Sequence, residues 1–494
     1  MPLILPGNVA SATTPTTFSV ANSCRFNQAD DPSMTRTLTS DGNVDKFTIS
    51  MWVKRGKIGV QGYLCGASPG GDNDFHINFE SDDTLRFYQN TGGSVVGKLQ
   101  TNRLFRDCSA WYHLVFVWDT GNATAGNRMR MYVNGTEETS FGTDTQPAED
   151  ANSFWMDASE GASGSPMYIG AYDTGSSPVH FDGYIAEFCM CDGQTLAASD
   201  FGEFNEDSPT IWQPKDVSGV TFGTNGVYLD FEASDNLGND ANGGTDWSEA
   251  NLAAADQATD TPTNNFCVLG GGVMNPLGFS GAVLSEGSLN IKSDSGDYSS
   301  CATMAMTAGK WYWEVKNVSS VDQGRKVGIV RADHINIISS QGFHIGATYD
   351  NVMCALNGDD GVIYQTHLNG GGYAGTFTDS NVDGGTTLSG TEIVGIALDA
   401  DNGTIKFFIN NTEVNNSPVT LTNWATDFKP FGALPAARGD GGSLKQEWGF
   451  NFGGCPPFAL SSAAADGNGY GAFEYAPPSG YLALCSKNLG SDGG

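Results

Sequence analysis

Residues 181–217 read FDGYIAEFCMCDGQTLAASDFGEFNEDSPTIWQPKDV. Alternation predicts a strand with Tyr184, Ala186 and Phe188 on one face and Ile185, Glu187 and Cys189 on the other. Asp192-Gly193 ends it. An Ala-rich helical turn and an extended, Pro-bearing exit come next. The chain before this stretch reads as one all-β unit, and the chain after it as a second.

Working outward, the N-terminal side repeats strand and turn. KFTISMWVKR places Phe47, Ile49, Met51 and Val53 on one face and Ser50 and Trp52 on the other. DFHINFESDDTLRFYQN is a hairpin turning at Ser81-Asp82-Asp83. WYHLVFVWD is a strongly β-prone strand. RMRMYVNGTEETSF turns at Asn134-Gly135, the pairing that a tight primed turn favours. On the C-terminal side, GKWYWEVKNV carries Trp311, Trp313 and Val315 on one face. EIVGIALDADNGTIKFFINNTEV is a hairpin with Ile405, Phe407 and Ile409 inward. Short strands without a long helical pattern predict β-sandwiches.

The bulk numbers agree. A chain of 494 residues is too long for one compact core. With 65 glycines and only 16% charged residues, it suits short strands and many turns. Against 56 acidic side chains stand 24 Lys and Arg, a net −32. Such a chain repels nucleic acid and anionic membranes, and no apolar run is long enough to cross a bilayer. The start, MPLILPGNVASATTPTTF, lacks the basic region of a secretory signal. The ten cysteines show no zinc spacing and are expected to be buried as small apolar side chains.

The ordered words WVK, WYHLVFVWD, RMYVNG, YIG and GYIAEF resemble the laminin-G/pentraxin-like branch of the concanavalin-A-like jelly rolls. Residues 183–277 resemble a connecting module of tailed-bacteriophage virion proteins. GKWYWEV, VGIALD, GTIKFFINN, NFGGCPPF and GYLALC, over about 266–487, resemble the SPRY domain. The resemblance implies an all-β chain of two jelly-roll-like sandwiches. An N-terminal anchor would span 1–20, a laminin-G-like sandwich 21–217, an irregular linker 218–265 and a SPRY-like sandwich 266–494. Trp212, Tyr228, Phe231 and Trp247 are spaced to pin that linker.

Motifs with catalytic spelling fail on local chemistry. Gly66-Ala67-Ser68-Pro69-Gly70 has the letters of a nucleophile elbow, but Pro69 forbids the helix it needs. Gly92–Lys98 lacks the hydroxyl that holds magnesium in a P-loop. No strand carries the paired carboxylates of a glycosidase; Glu187 and Glu314 each stand alone. The six scattered histidines read as structural.

The expected function is therefore binding rather than catalysis. Trp155, Asp157, Tyr172 and Asp173 are the candidate ligand contacts, since they place aromatic rings among acids in loop-like stretches. The family resemblance implies calcium, for which Asp72, Asp74 and Asp173 are the candidates. It further implies a fibre-type virion component assembled in a host cytoplasm. Its partners would be other virion proteins through the N-terminal segment, a host-surface glycan or protein, and copies of itself in a homo-oligomer such as a trimer. Head decoration, tail architecture, glycan depolymerisation and peptide binding by the SPRY face are the alternatives.

Overall fold

The structure, a computed structural model, describes residues 18–68, 70, 72–158, 166–173, 178–206, 208–270, 282–293, 298–318, 326–334, 352–358, 361–369, 372–378, 388, 391–414, 417–439 and 447–492. They form two compact units, one within Pro15–Thr263 and one from Asn264 on. The anchor expected over 1–20 lies mostly outside the described residues.

The first unit is a sandwich of two antiparallel sheets. Its first sheet runs, edge to edge, Thr136–Glu137, Met129–Val133, Trp111–Asp119, Lys46–Arg55, Gly183–Asp192, Ser23–Phe26 and Gln257–Ala258, and Val227–Leu229 also pairs with Gly183–Asp192. The second runs Phe141–Thr145, Ser94–Leu104, Thr84–Thr91, Asp74–Phe79, Gly62–Ala67, Met167–Ile169, Ser33–Arg36 and Ser248–Ala250. Phe47, Ile49, Met51 and Val53 face Phe75, Ile77, Phe79 and Phe87 in the core between them. The Asn134-Gly135 turn forms as expected, with φ of 49° and 77°.

The strand at the centre of the opening stretch departs from strict alternation. Glu187 takes a left-handed φ of 51°, and the register with Lys46–Arg55 slips between Ala186 and Cys189. Two residues, Glu187 and Phe188, therefore oppose one: a β-bulge. The phase shifts, so Phe188 joins Ile185 and Met190 in the inter-sheet core, instead of sharing a face with Tyr184 and Ala186. Cys189 and Cys191 lie together on the other side, against Phe201, Val217 and Phe222. All ten cysteines are buried.

Residues 218–263 are not a linker. Val227–Leu229 pairs with Phe188–Met190, Ser248–Ala250 with Ser33–Thr35, and Gln257–Ala258 with Ser23–Cys24. Phe231, Leu237 and Trp247 enter the first core. Burying such side chains is worth about 1.5–3 kcal/mol each, which outweighs the composition's preference for loop. The segment is fastened at its end: Lys54 Nζ meets Asp260 Oδ2 at 2.7 Å with both side chains almost wholly buried. Trp111 Nε1 donates to Asp260 Oδ1 at 3.1 Å, and Ser23 Oγ to the Asp260 carbonyl at 2.7 Å.

The second unit is another two-sheet sandwich. Lys310–Asn317 sits between Glu447–Asn451 and Ile393–Asp399 in one sheet, with Leu482–Ala483 pairing in parallel beside it. Tyr298–Cys301, Ala433–Gly439, Lys326–Arg331, Met353–Asn357, Ile363–Asn369 and Gly372–Thr378 make the other. Trp311, Trp313 and Val315 are buried as expected. Glu314 is buried too, and its carboxylate accepts from the Glu474 and Tyr475 amides at 2.9 and 2.8 Å, from Asn451 Nδ2 at 3.0 Å and from the Tyr312 hydroxyl at 3.2 Å. It anchors the C-terminal segment.

Two outcomes test this architecture. Asp260→Ala strands a buried ammonium and should cost about 3–5 kcal/mol in denaturant unfolding of the first unit. The pair Lys54→Met with Asp260→Leu should recover most of that; a loss under about 1 kcal/mol in the single variant contradicts the role. The second concerns Glu187, whose carboxyl is pushed from 4.5 to about 7 by burial and, secondarily, by Asp230, Glu232 and Asp216 against the opposing bond from Tyr228. The folded chain keeps a proton that the unfolded chain loses in this window. Stability therefore falls as pH rises from about 4.5 to about 7, by roughly 3 kcal/mol. Glu187→Gln, which retains an acceptor for Tyr228, should flatten that slope; parallel pH–stability curves overturn the reading.

Candidate functional site

Strand alternation puts a polar and aromatic surface on the outside of the second sheet. In Asp74–Phe79 the residues Phe75, Ile77 and Phe79 point inward, so His76 and Asn78 point out. In Thr84–Thr91, Leu85 and Phe87 point inward and Arg86, Tyr88 and Asn90 out. Register lines up Gly66, His76, Tyr88 and Lys98 as one row across four strands. Gly66 is required there: a Cβ would come within 2.6 Å of the Tyr172 ring, which lies over it.

The row is closely stacked. Tyr172 and Tyr63 stack at 4.9 Å, and His76 and Tyr88 at 4.7 Å. His76 meets Tyr63 and Tyr172 by its edge at 5.3 and 5.1 Å. The Tyr172 hydroxyl donates to Asp74, whose other oxygen accepts from Asn90 Nδ2 at 2.9 Å. Arg86 lies over Tyr88 at 5.3 Å and pairs with Glu80 at 2.6 Å.

His76 is the unusual member. It is only 5% exposed, and neither ring nitrogen has a hydrogen-bond partner among the described residues. Burial first, then Arg86 and Lys98, holds its imidazole well below the usual 6.5. It is neutral at physiological pH, with one donor and one acceptor unused. Leaving such groups unpaired costs about 1–3 kcal/mol. By contrast, His180 Nδ1 lies 2.9 Å from the Pro32 carbonyl.

The contacts expected from the sequence fall out differently. Trp155 is fully buried, stacked on Phe75 at 5.2 Å with Nε1 against Met190 Sδ, so it cannot face a ligand. Asp157 is half-buried at the end of the short helical turn Phe154–Met156 and remote in sequence from the row. Tyr172 does belong to the row, but as a buried ring covering Gly66. Asp173 accepts from the Tyr168 hydroxyl at 3.4 Å. For calcium, Asp72, Asp74 and Asp173 do not make a cage: among the described residues no three acids, cysteines or histidines converge, and the Asp74 oxygens face Tyr172 and Asn90. His76, Tyr88, Lys98, Arg86 and Tyr63 did not stand out in the sequence. For His76, Arg86 and Tyr88 the alternate spacing in DFHINF and TLRFYQN was the available signal.

Two constellations look catalytic and are structural in form. Ser50 Oγ is 2.9 Å from His113 Nε2, and Trp212 Nε1 donates to His113 Nδ1 at 3.0 Å. With Nδ1 accepting, the proton of the neutral ring sits on Nε2 and points at Ser50. A base must accept from its nucleophile, so this polarity is wrong, and burial drives His113 down to about 3. The relay instead pins Trp212, whose ring lies between Gly135 and Gly202. Glu187, although tuned near neutrality, lies buried under the Tyr228 hydroxyl at 2.7 Å. Beside Trp212, the 47%-exposed Phe204, Tyr132 and Lys215 line a shallow groove of about 370 Å³.

Known proteins resemble parts of this chain. Residues 28–198 match the laminin-G-type family described as the concanavalin A-like lectin/glucanases superfamily. No curated protein matches the chain. Among solved structures, the SPRY domain of human HERC1 is similar at 13% identity, covering 36% of this chain and 94% of its own, with a TM-score of 0.23. A heptameric SAP-like pentraxin from Limulus polyphemus is similar at 15% identity, covering 36% and 80%, with a TM-score of 0.26. Domains LG4-5 of the mouse laminin alpha1 chain are similar at 9% identity, covering 88% and 82%, with a TM-score of 0.28. The family match, confined to residues 28–198 of the first unit, is to a concanavalin A-like, laminin-G-type domain, a kind compatible with binding carbohydrate or protein.

Proposed function

We propose that the chain is a fibre-type structural protein of a tailed-phage particle, and that its first unit binds a saccharide of the host surface. The observation that carries the binding reading is the row of Tyr172, His76, Tyr88 and Lys98 on the outer face of the second sheet. The half-buried Tyr88 ring offers an apolar face to a pyranose, and the half-buried Asn90 and Gln100 supply amides for hydroxyls. A few placed polar groups among rings are what small-ligand recognition uses. The phage setting rests on the resemblance of residues 183–277 to the virion connector. In this reading the protein binds and does not cleave, and the N-terminal segment joins it to other virion proteins.

A particle-internal role is the second reading, favoured by the exposed Phe204 beside Trp212 and Tyr132, which offers a groove to another structural protein.

Full-length protein should bind saturably to cells or lipopolysaccharide within a panel of bacterial strains. Tyr88→Ala should weaken that binding about tenfold or more while the protein still unfolds cooperatively, as loss of a central aromatic contact does. Absence of saturable binding throughout the panel, or equal binding by the variant, overturns the site. Antibody against the protein should label the tails of phage particles from its source; label confined to heads supports the second reading instead.

A further inference from the structure

We propose that the saccharide taken by this face is an acidic one, its carboxylate held by the Lys98 ammonium while its ring lies along Tyr88. The proposal rests on the saccharide-binding reading above and gives it a chemical class.

In a chain with 56 acids and 24 Lys and Arg, nine of the thirteen Lys and Arg of the first unit are drawn onto carboxylates, from Arg25 on Asp256 to Arg128 on Glu149. The exceptions Arg36, Arg130 and Lys215 donate to neutral oxygens of Asn225, Tyr132 and Ser199. Among the described residues, Lys98 alone in this unit has no acceptor in the protein. It is half-buried, between Tyr88 on one strand and Thr145 on the next.

The acids of the same face do not compete for it. Asp74 accepts from Tyr172 and Asn90. Glu80 is held by Arg86, Gln61 and Asn78. A cation left open in so acidic a chain, beside a tyrosine and a buried imidazole lacking both its partners, is matched by a ligand that brings a carboxylate and hydroxyls together. The net charge of −32 opposes a polyanion at long range, but at physiological salt that repulsion is screened beyond about 8 Å. Contact is decided by the local ammonium.

The test uses full-length protein with hyaluronan, polygalacturonate and polysialic acid oligomers, each compared with its carboxyl-reduced, neutral form. At least one acidic form should bind, and carboxyl reduction should weaken it about tenfold, the factor set by one charge-assisted hydrogen bond of ordinary strength. Lys98→Gln should weaken the acidic form by the same factor and leave the neutral form unchanged, while Lys98→Arg should retain binding. Tyr88→Ala should weaken both forms. Equal binding of acidic and neutral forms, with both lost in Tyr88→Ala, overturns the acidic ligand and leaves the face as the site. No binding by any form, or binding indifferent to both Lys98 and Tyr88, overturns the proposal and the face together.

Discussion

A single buried ion pair decides what the first unit contains. Lys54 projects from the strand at the middle of the first sheet, on the side away from the sandwich core, and meets Asp260 there at 2.7 Å. An ammonium and a carboxylate withdrawn from water are costly apart and tolerable only together, with further bonds such as that from Trp111 to Asp260. The pair therefore holds residues up to Thr263 against the sheet, where Thr263 also bonds Val20. Between the bulged strand and this fastening, the chain has no choice but to cover the sandwich. It delivers Phe231, Leu237 and Trp247 to the core on the way.

Legibility in the sequence followed element length. The long strands, their inward faces and the Asn134-Gly135 hairpin were readable because alternation over eight or ten residues is hard to mimic. The three strands within 218–263 were not, because each spans only two or three residues among Gly, Asn and Asp. Their pairing is imposed by burial and by Asp260. The bulge at Glu187 was hidden for another reason: a non-glycine residue in the left-handed region has no compositional mark, yet it reversed the face assigned to Phe188. For the site, looking for aromatics in loops led to Trp155, which is core. The face that does gather aromatic and polar groups comes from alternate residues of two ordinary strands, and only register brings His76, Tyr88 and Lys98 into one row.

Burial without pairing and burial with pairing give this unit its contrasts. Ser50, His113 and Trp212 complete one another and close a seam. Glu187 retains its proton near neutrality because Tyr228 alone does not compensate for lost water. His76 has no such closure, and Lys98, across Tyr88 in the same row, has no acceptor. Unfinished polar valences on this sheet face, the His76 nitrogens, Asn90 Oδ1 and the Lys98 ammonium, are what separate a surface that binds from one that merely covers.

Hydroxyl-radical footprinting of the full chain, with and without saturating surface polysaccharide from a strain that the protein binds, tests that distinction most directly. Protection of Tyr88 is expected, with labelling of Phe204 and Trp212 unchanged. Protection confined to Phe204 and Trp212, with Tyr88 labelled as in the free protein, would contradict the assignment of this face as the binding surface.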